Sequence, residues 1–354
     1  MTASLPAIDL ALARRERQRQ LYRRAALLLG LGVLLVAALT CDLLSGPSGL
    51  RAATLFEGIL HPQALDITQR VIIWHVRLPY ALMAVLVGAA LALAGAEMQS
   101  ILDNPLASPF TLGVSSAAAL GASLAIAFNL GGAWLAPNAA TSLAAFVCAC
   151  LSVLLLQVLS RLRGSGVESL VLFGIALVFS CNALVALLQM LATEDVLQQL
   201  VFWTLGSLAR ADWNKVTALA VVLLLCLPFS LAAASRLTVL RMGEDRARSL
   251  GVDVRRLRRF ALLRICLLSA SAVAFVGTIG FIGLVGPHIA RLLIGEDQRF
   301  FLPASALVGA LLLSLSSIAS KLIMPGLIVP VGIVTALVGV PVFIALICRS
   351  GRHA

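Results

Sequence analysis

A chain of 354 residues with 60% hydrophobic and only 12% charged side chains, at a mean hydropathy of +1.02, holds more apolar material than one soluble core can bury. Its net charge of +11 rests on arginines clustered between apolar runs, without interleaved aromatic and polar partners, which fits a polytopic membrane protein and excludes a nucleic-acid binder. The seven cysteines (Cys41, Cys148, Cys150, Cys181, Cys226, Cys266 and Cys348) fall within or at the ends of apolar runs with no metal-ligand or disulfide spacing, so they read as small core residues.

From the N-terminus, Arg14, Arg15, Arg17, Arg19, Arg23 and Arg24 precede the apolar run 25–39. No small-x-small site follows, and Leu39-Thr40 before Cys41 does not suit a lipoprotein signal, so a retained first span at 25–44 with a basic tail, 1–24, is predicted. A hydrocarbon core of roughly 30 Å asks about twenty apolar residues of a helix. On that rule spans fall at 25–44, 76–97, 110–130, 138–159, 167–191, 215–234, 260–280, 282–294, 301–321 and 328–347. The eighth is short and contains Gly286-Pro287, which predicts a broken or tilted helix. An even number of spans puts both termini on one side. Twenty of the 27 basic residues lie in the segments this assigns to the cytoplasm, among them Arg161, Arg163, Arg291, Arg299, Arg349 and Arg352. Arg264, about one turn into the seventh span, is expected to snorkel toward the headgroups. Small residues four apart, Gly88, Ala92 and Ala96 and then Gly332 and Ala336, predict close helix packing.

Between the sixth and seventh spans lies a polar island, 235–259, with eight arginines beside Glu244, Asp245 and Asp253. Gly243 and Gly251 there permit tight turns around one short amphipathic helix, whose apolar side can insert into a partner while Arg246 and Arg248 meet acidic groups. Asp103-Asn104-Pro105 reads as a turn. Gly280, Gly283, Gly286 and Pro287 read as a bent, tightly packed element, and His288 as a packing residue. Neither lysine, Lys215 or Lys321, follows a glycine, so a Walker phosphate loop is absent; so are HExxH, GxSxG and CxxC. Asp42, Glu97, Asp103, Glu194 and Asp195 sit at predicted span ends or in loops, unlike the mid-span carboxylates of proton-coupled transporters. Energy must then come from outside the chain.

The runs RLPYALMAVLVGAALALAGAEMQSILDNPLASPFTLGVSS (77–116), LRMGEDRARSLGVDVRRLR (240–258), GFIGLVGPHIARLLIGEDQRFFLPASALVGA (280–310) and VPVGIVTALVGVPVF (329–343) resemble the FecCD type of ABC importer permease. The resemblance implies an all-α polytopic membrane protein of about ten transmembrane helices with a cytoplasmic coupling-helix loop, like the cobalamin-importer permease (a type II ABC importer). Residues 25–354 then form a single transmembrane permease domain in the bacterial inner membrane, with both termini cytoplasmic. The implied partners are cytoplasmic ATP-binding subunits, a second permease chain (the same or a related one), a periplasmic substrate-binding protein and membrane lipid. ATP is bound by the partner subunit, and this chain is a transport subunit with no cofactor, metal or catalytic site. The family carries iron(III)-siderophores, haem or cobalamin, and the NPLASPFTLG form resembles the siderophore group. Leu240, Gly243, Glu244, Ala247, Leu250 and Gly251 match the coupling element that enters the ATPase cleft. On the other face, Arg77 and Lys321 match binding-protein docking residues, with Tyr80 where the family often has a second arginine and Arg70 nearby; Lys321 alone equally suits an interfacial anchor. An ATP-independent channel or secondary transporter using the island to bind a regulator stays open as a different class.

Overall fold

The computed structural model describes residues 10–46, 51–131, 136–162, 167–324 and 326–350. The tail before residue 10 and the side chains of Arg161, Arg163, Arg349 and Arg352, counted above among the basic flanks, lie outside the described residues. Each of the ten expected spans has a helix: α1 (Leu10–Leu44), then, after the short α2 (Ala52–Leu60) and α3 (Ile67–Val71), α4 (Leu78–Leu102), α5 (Val114–Ala127), α6 (Pro137–Leu162) and α7 (Val167–Leu191). There follow α8 (Glu194–Thr204), α9 (Trp213–Leu240), α10 (Glu244–Ser249), α11 (Val254–Val276), α12 (Ile282–Ile294), α13 (Gln298–Leu322) and α14 (Val331–Ser350). Among the described residues seven of these are long and apolar enough to cross a membrane, and α5, α12 and the Val331–Ile344 part of α14 are shorter apolar stretches.

α4 is the axis of the bundle. Its 78–96 stretch is apolar all round, as a helix buried on every side requires, and α1, α9, α11, α12 and α13 pack around it. Glycine and alanine make that possible, since helices approach closely only where side chains are absent or small. A Cβ on Gly88 would lie 2.3 Å from the Gly309 carbonyl oxygen, and one on Gly95 only 1.7 Å from that of Gly283. The Gly88, Ala92, Ala96 stripe therefore serves as expected, and Gly332 likewise lies against the Leu205 carbonyl. α5, α6 and α7 form a flank beside α11, and α14 packs on α12 and α13.

The eighth span is not broken at Gly286-Pro287: α12 runs unbroken through Pro287. Proline has no N–H to offer the carbonyl four residues back, Gly283, and its ring needs space there. That carbonyl turns toward Gly95, so the helix tolerates the loss. The interruption lies earlier, where α11 stops at Val276 and Phe281, at φ +66°, redirects the chain into α12. A second irregularity precedes α4, where Ile72–Arg77 forms a π-helical turn continuous with α3 and α4. Its Trp74 donates Nε1–H to the Gly58 carbonyl (3.0 Å), and its Trp74 carbonyl accepts from Trp213 Nε1 (2.7 Å).

Candidate functional site

The residues singled out by sequence gather at opposite ends of the bundle. At one end α9 stops at Leu240, and Gly243 (φ +109°) and Gly251 (φ +80°) make the turns that bracket α10, backbone conformations that favour glycine. Glu244 and Asp245 occupy the first turn of α10 and Arg246 and Arg248 the last, each sign favoured by the helix dipole. Asp253 caps α11 by accepting from the Arg256 amide at 2.9 Å.

Glu244 fastens this element to the bundle. One carboxylate oxygen meets Arg248 at 2.5 Å and the other Arg258 at 2.9 Å, while Arg258 Nε donates to the Ile101 carbonyl in the last turn of α4 (3.2 Å). Beneath lies a further set: Arg241 pairs with Glu296 (2.7 Å) and stands 4.0 Å from Asp103, Arg291 donates to Gln99 (2.9 Å), Ser100 to Gln298 (3.0 Å), and Arg24 of α1 pairs with Asp297 (3.0 Å). Asn104 accepts from the Leu106 amide (2.9 Å), fixing the expected turn after α4. Single pairs at a surface contribute little. Together these join the ends of α1, α4, α9, α12 and α13 to one another, while Glu244 ties α10 to α11 and, through Arg258, to the end of α4.

Two members of the coupling set face inward. Leu240 is 4% exposed and Ala247 is fully buried, so they seat α10 on α9 and α11. On a six-residue helix whose other face carries the charges, the small apolar residue is the one that can lie against the bundle. The outward surface is Met242, Asp245, Arg246, Arg248 and Leu250, of which Met242 and Leu250 are exposed apolar residues.

At the far end the expected docking residues Arg77, Tyr80 and Lys321 come together, but inside the protein. Arg77 Nη1 donates to the Leu43 carbonyl at 2.6 Å, meeting one of the last carbonyls of α1, which have no partner within the helix. Lys321 Nζ lies 2.9 Å from a carboxylate oxygen of fully buried Asp42, which also accepts from Ser317 (2.6 Å). The same ammonium stands 4.4 Å from the Tyr80 ring centroid, a cation–π arrangement, and the Tyr80 hydroxyl meets Ser320 at 3.3 Å. These three side chains thus clamp α1 to α4 and α13. Arg70 on α3 is the exposed cation of the expected group. Asp42→Ala is expected to destabilise the purified chain by about 3–5 kcal/mol by leaving a buried ammonium uncompensated. Thermal unfolding in detergent measures it, and Asp42→Ala with Lys321→Met should recover most of the loss.

Sequence reasoning missed one pair. Glu97 of α4 and Arg264 of α11 meet inside the bundle, with Arg264 Nε 3.0 and 3.1 Å from the two carboxylate oxygens and Nη2 2.9 Å from one of them. Glu97 is fully buried and the Arg264 side chain 10% exposed. Arg264 does not snorkel: α11 begins at Val254, so the residue sits about 15 Å along the helix and not one turn in. α4 likewise continues to Leu102, which places Glu97 within the helix. One acid and one base in separate apolar runs was the available signal.

An apolar recess of about 460 Å³ separates the 103–113 connection from α7, with Leu106, Phe110, Ile175 and Phe179 among its walls. Phe179 is 72% exposed, and Leu106 and Phe110 about half.

Residues 34–349 match the FecCD transport family. The Fe(3+)-citrate import system permease protein YfmE of Bacillus subtilis (strain 168) is 37% identical over 289 residues, 81% of this chain and 85% of its own. The vitamin B12 import system permease protein BtuC of Escherichia coli O6:H1 is 37% identical over 338 residues, 96% of this chain and 98% of its own. A solved structure described as an inward-facing conformation of a metal-chelate type ABC transporter superposes with a TM-score of 0.81 at 33% identity, covering 92% of this chain and 99% of that one.

Proposed function

From the fact that this chain belongs to the FecCD transport family, as the membrane permease subunit of an ABC importer, we propose that it carries an iron(III)-siderophore complex inward across the bacterial inner membrane. Its α10 end faces the cytoplasm and receives the stroke of separate ATP-binding subunits. Residues 25–354 act as one transmembrane unit, residues 1–24 are a cytoplasmic basic tail, and both termini lie inside. A second permease chain completes the pathway, and a periplasmic binding protein delivers cargo to the far end, where exposed Arg70 is the cation that orients an acidic rim.

The observation that carries this reading is α10 itself. It is a short helix between two left-handed glycine turns, apolar residues outward at Met242 and Leu250, its root tied through Glu244 and Arg258 to the end of α4. Such an element transmits a push without chemistry of its own. The apolar recess beside α7 supports a cavity with weak, non-coordinating walls, suited to a chelate whose metal is already satisfied.

Cargo is tested by reconstituting the chain with its co-purified subunits and binding protein. Radio-iron(III) citrate, a radio-iron(III) hydroxamate, haem and cobalamin are then offered in turn. Uptake of an iron(III) chelate that requires ATP is expected. Uptake of cobalamin alone, as the BtuC likeness invites, or of haem alone, overturns the cargo assignment, and uptake without nucleotide overturns the importer mechanism. In the same vesicles Glu244→Ala and Gly251→Val are each expected to cut uptake roughly ten-fold while hydrolysis persists, because α10 loses its tether or its turn.

A further inference from the structure

A buried Glu–Arg pair inside an apolar bundle needs a reason to be there. Well-packed apolar residues of the same size stabilise a core as well or better, without the cost of desolvating two charges. The surroundings supply one. On the helix faces that carry the pair, buried Ala94 and Ala90 lie one and two turns before Glu97 on α4, and buried Ala261 one turn before Arg264 on α11, while Gly95 and Ala92 face α12 and α13. Such small side chains allow close approach and carry no directional contact of their own. An ion pair with three short contacts has one register only.

The pair also stands in line with the coupling element. α11 begins beside α10; Arg258, in its second turn, holds the Ile101 carbonyl of α4, and Arg264 holds Glu97 deeper along the same two helices. α9, the helix that leads into α10, closes the third side with Ser230 and Cys226 facing the pair. From this geometry we infer that Glu97 and Arg264 are positioning residues that lock the register of α4 and α11, so that displacement of α10 moves the bundle axis instead of sliding α11 along it.

The inference rests on the coupling role proposed for α10. It is tested in the full complex, isolated through a tag on this chain and reconstituted with the cargo that the wild type carries among the four named above. Cargo moved per ATP hydrolysed is the readout. Glu97→Gln and Arg264→Gln are each expected to lower that ratio roughly ten-fold, and the exchange Glu97→Arg with Arg264→Glu to restore it to within about three-fold. The apolar pair Glu97→Leu with Arg264→Leu separates register from stability. It should assemble with its ATP-binding subunits, unfold at or above the wild-type temperature, and still waste ATP. Wild-type coupling in the apolar pair, or in both glutamine variants, overturns the inference. Failure of the wild-type chain itself to bring down an ATP-binding subunit overturns instead the importer reading, a result visible before any variant is made.

Discussion

Gly95→Leu is expected to leave no folded permease. A Cβ at this position would stand 1.7 Å from the Gly283 carbonyl oxygen and 2.6 Å from its carbon, both backbone atoms of α12. Where neighbouring side chains can rotate away, overpacking costs about 1–3 kcal/mol. Here only a shift of α12 as a whole makes room, and α12 is held on its other side by α13, while Gly286 meets Ala92 of the same α4 stripe. The cost should exceed that range. Gly30 and Gly32 of α1 have nothing within 4 Å of a built Cβ, so Gly30→Ala is the matched control and should be neutral or slightly stabilising. Size-exclusion profile and thermal midpoint in detergent distinguish the two. A monodisperse Gly95→Leu protein with the wild-type midpoint would show that α4 and α12 are not in contact as described.

Ala247→Arg should separate folding from coupling. Ala247 is fully buried on the inner face of the six-residue α10 at the edge of the bundle. A guanidinium cannot remain in that space, so α10 must lift, and Glu244 then leaves Arg258. Because α10 contributes little to the core, the thermal midpoint of the chain is expected to move only slightly. The effect should appear in pull-down: loss of the ATP-binding subunit and uptake reduced to background. Leu250→Asp provides the complementary case, since Leu250 is 66% exposed and the substitution leaves the seat of α10 intact. It too should weaken subunit capture, through the outward surface. Full retention of the ATP-binding subunit by both variants would mean that the motor grips elsewhere.

Much of the fold could be read from the chain because lipid demands long, internally hydrogen-bonded apolar helices, and ten such runs are visible. Boundaries were harder. Charged residues end the predicted spans at Glu97 in α4 and after Arg259 in α11, whereas α4 continues to Leu102 with Glu97 satisfied by Arg264, and α11 starts already at Val254, where Asp253 caps its first turn. The short α2, α3 and α8 gave no signal, being too brief for a span and partly polar. Proline misled at α12, where the neighbouring glycine tolerates the missing donor. Of the candidate sites, the turns at Gly243 and Gly251 were legible because few other residues hold positive φ. The inward direction of Ala247, Arg77 and Lys321 was not, because burial of a lysine depends on Asp42, some 280 residues away in the chain.

The π turn ahead of α4 leaves a built-in optical gauge at the far rim. By presenting the Trp74 carbonyl to Trp213, it holds the two indoles with ring centroids 6.3 Å apart and planes tilted by 34°. Each ring belongs to a different helix, one on the rod leading into α4 and one at the first residue of α9. Their mutual quenching and energy transfer depend steeply on that spacing, so any parting of the two segments during a turnover cycle changes the emission of the unlabelled protein, with Trp74→Phe as the blank.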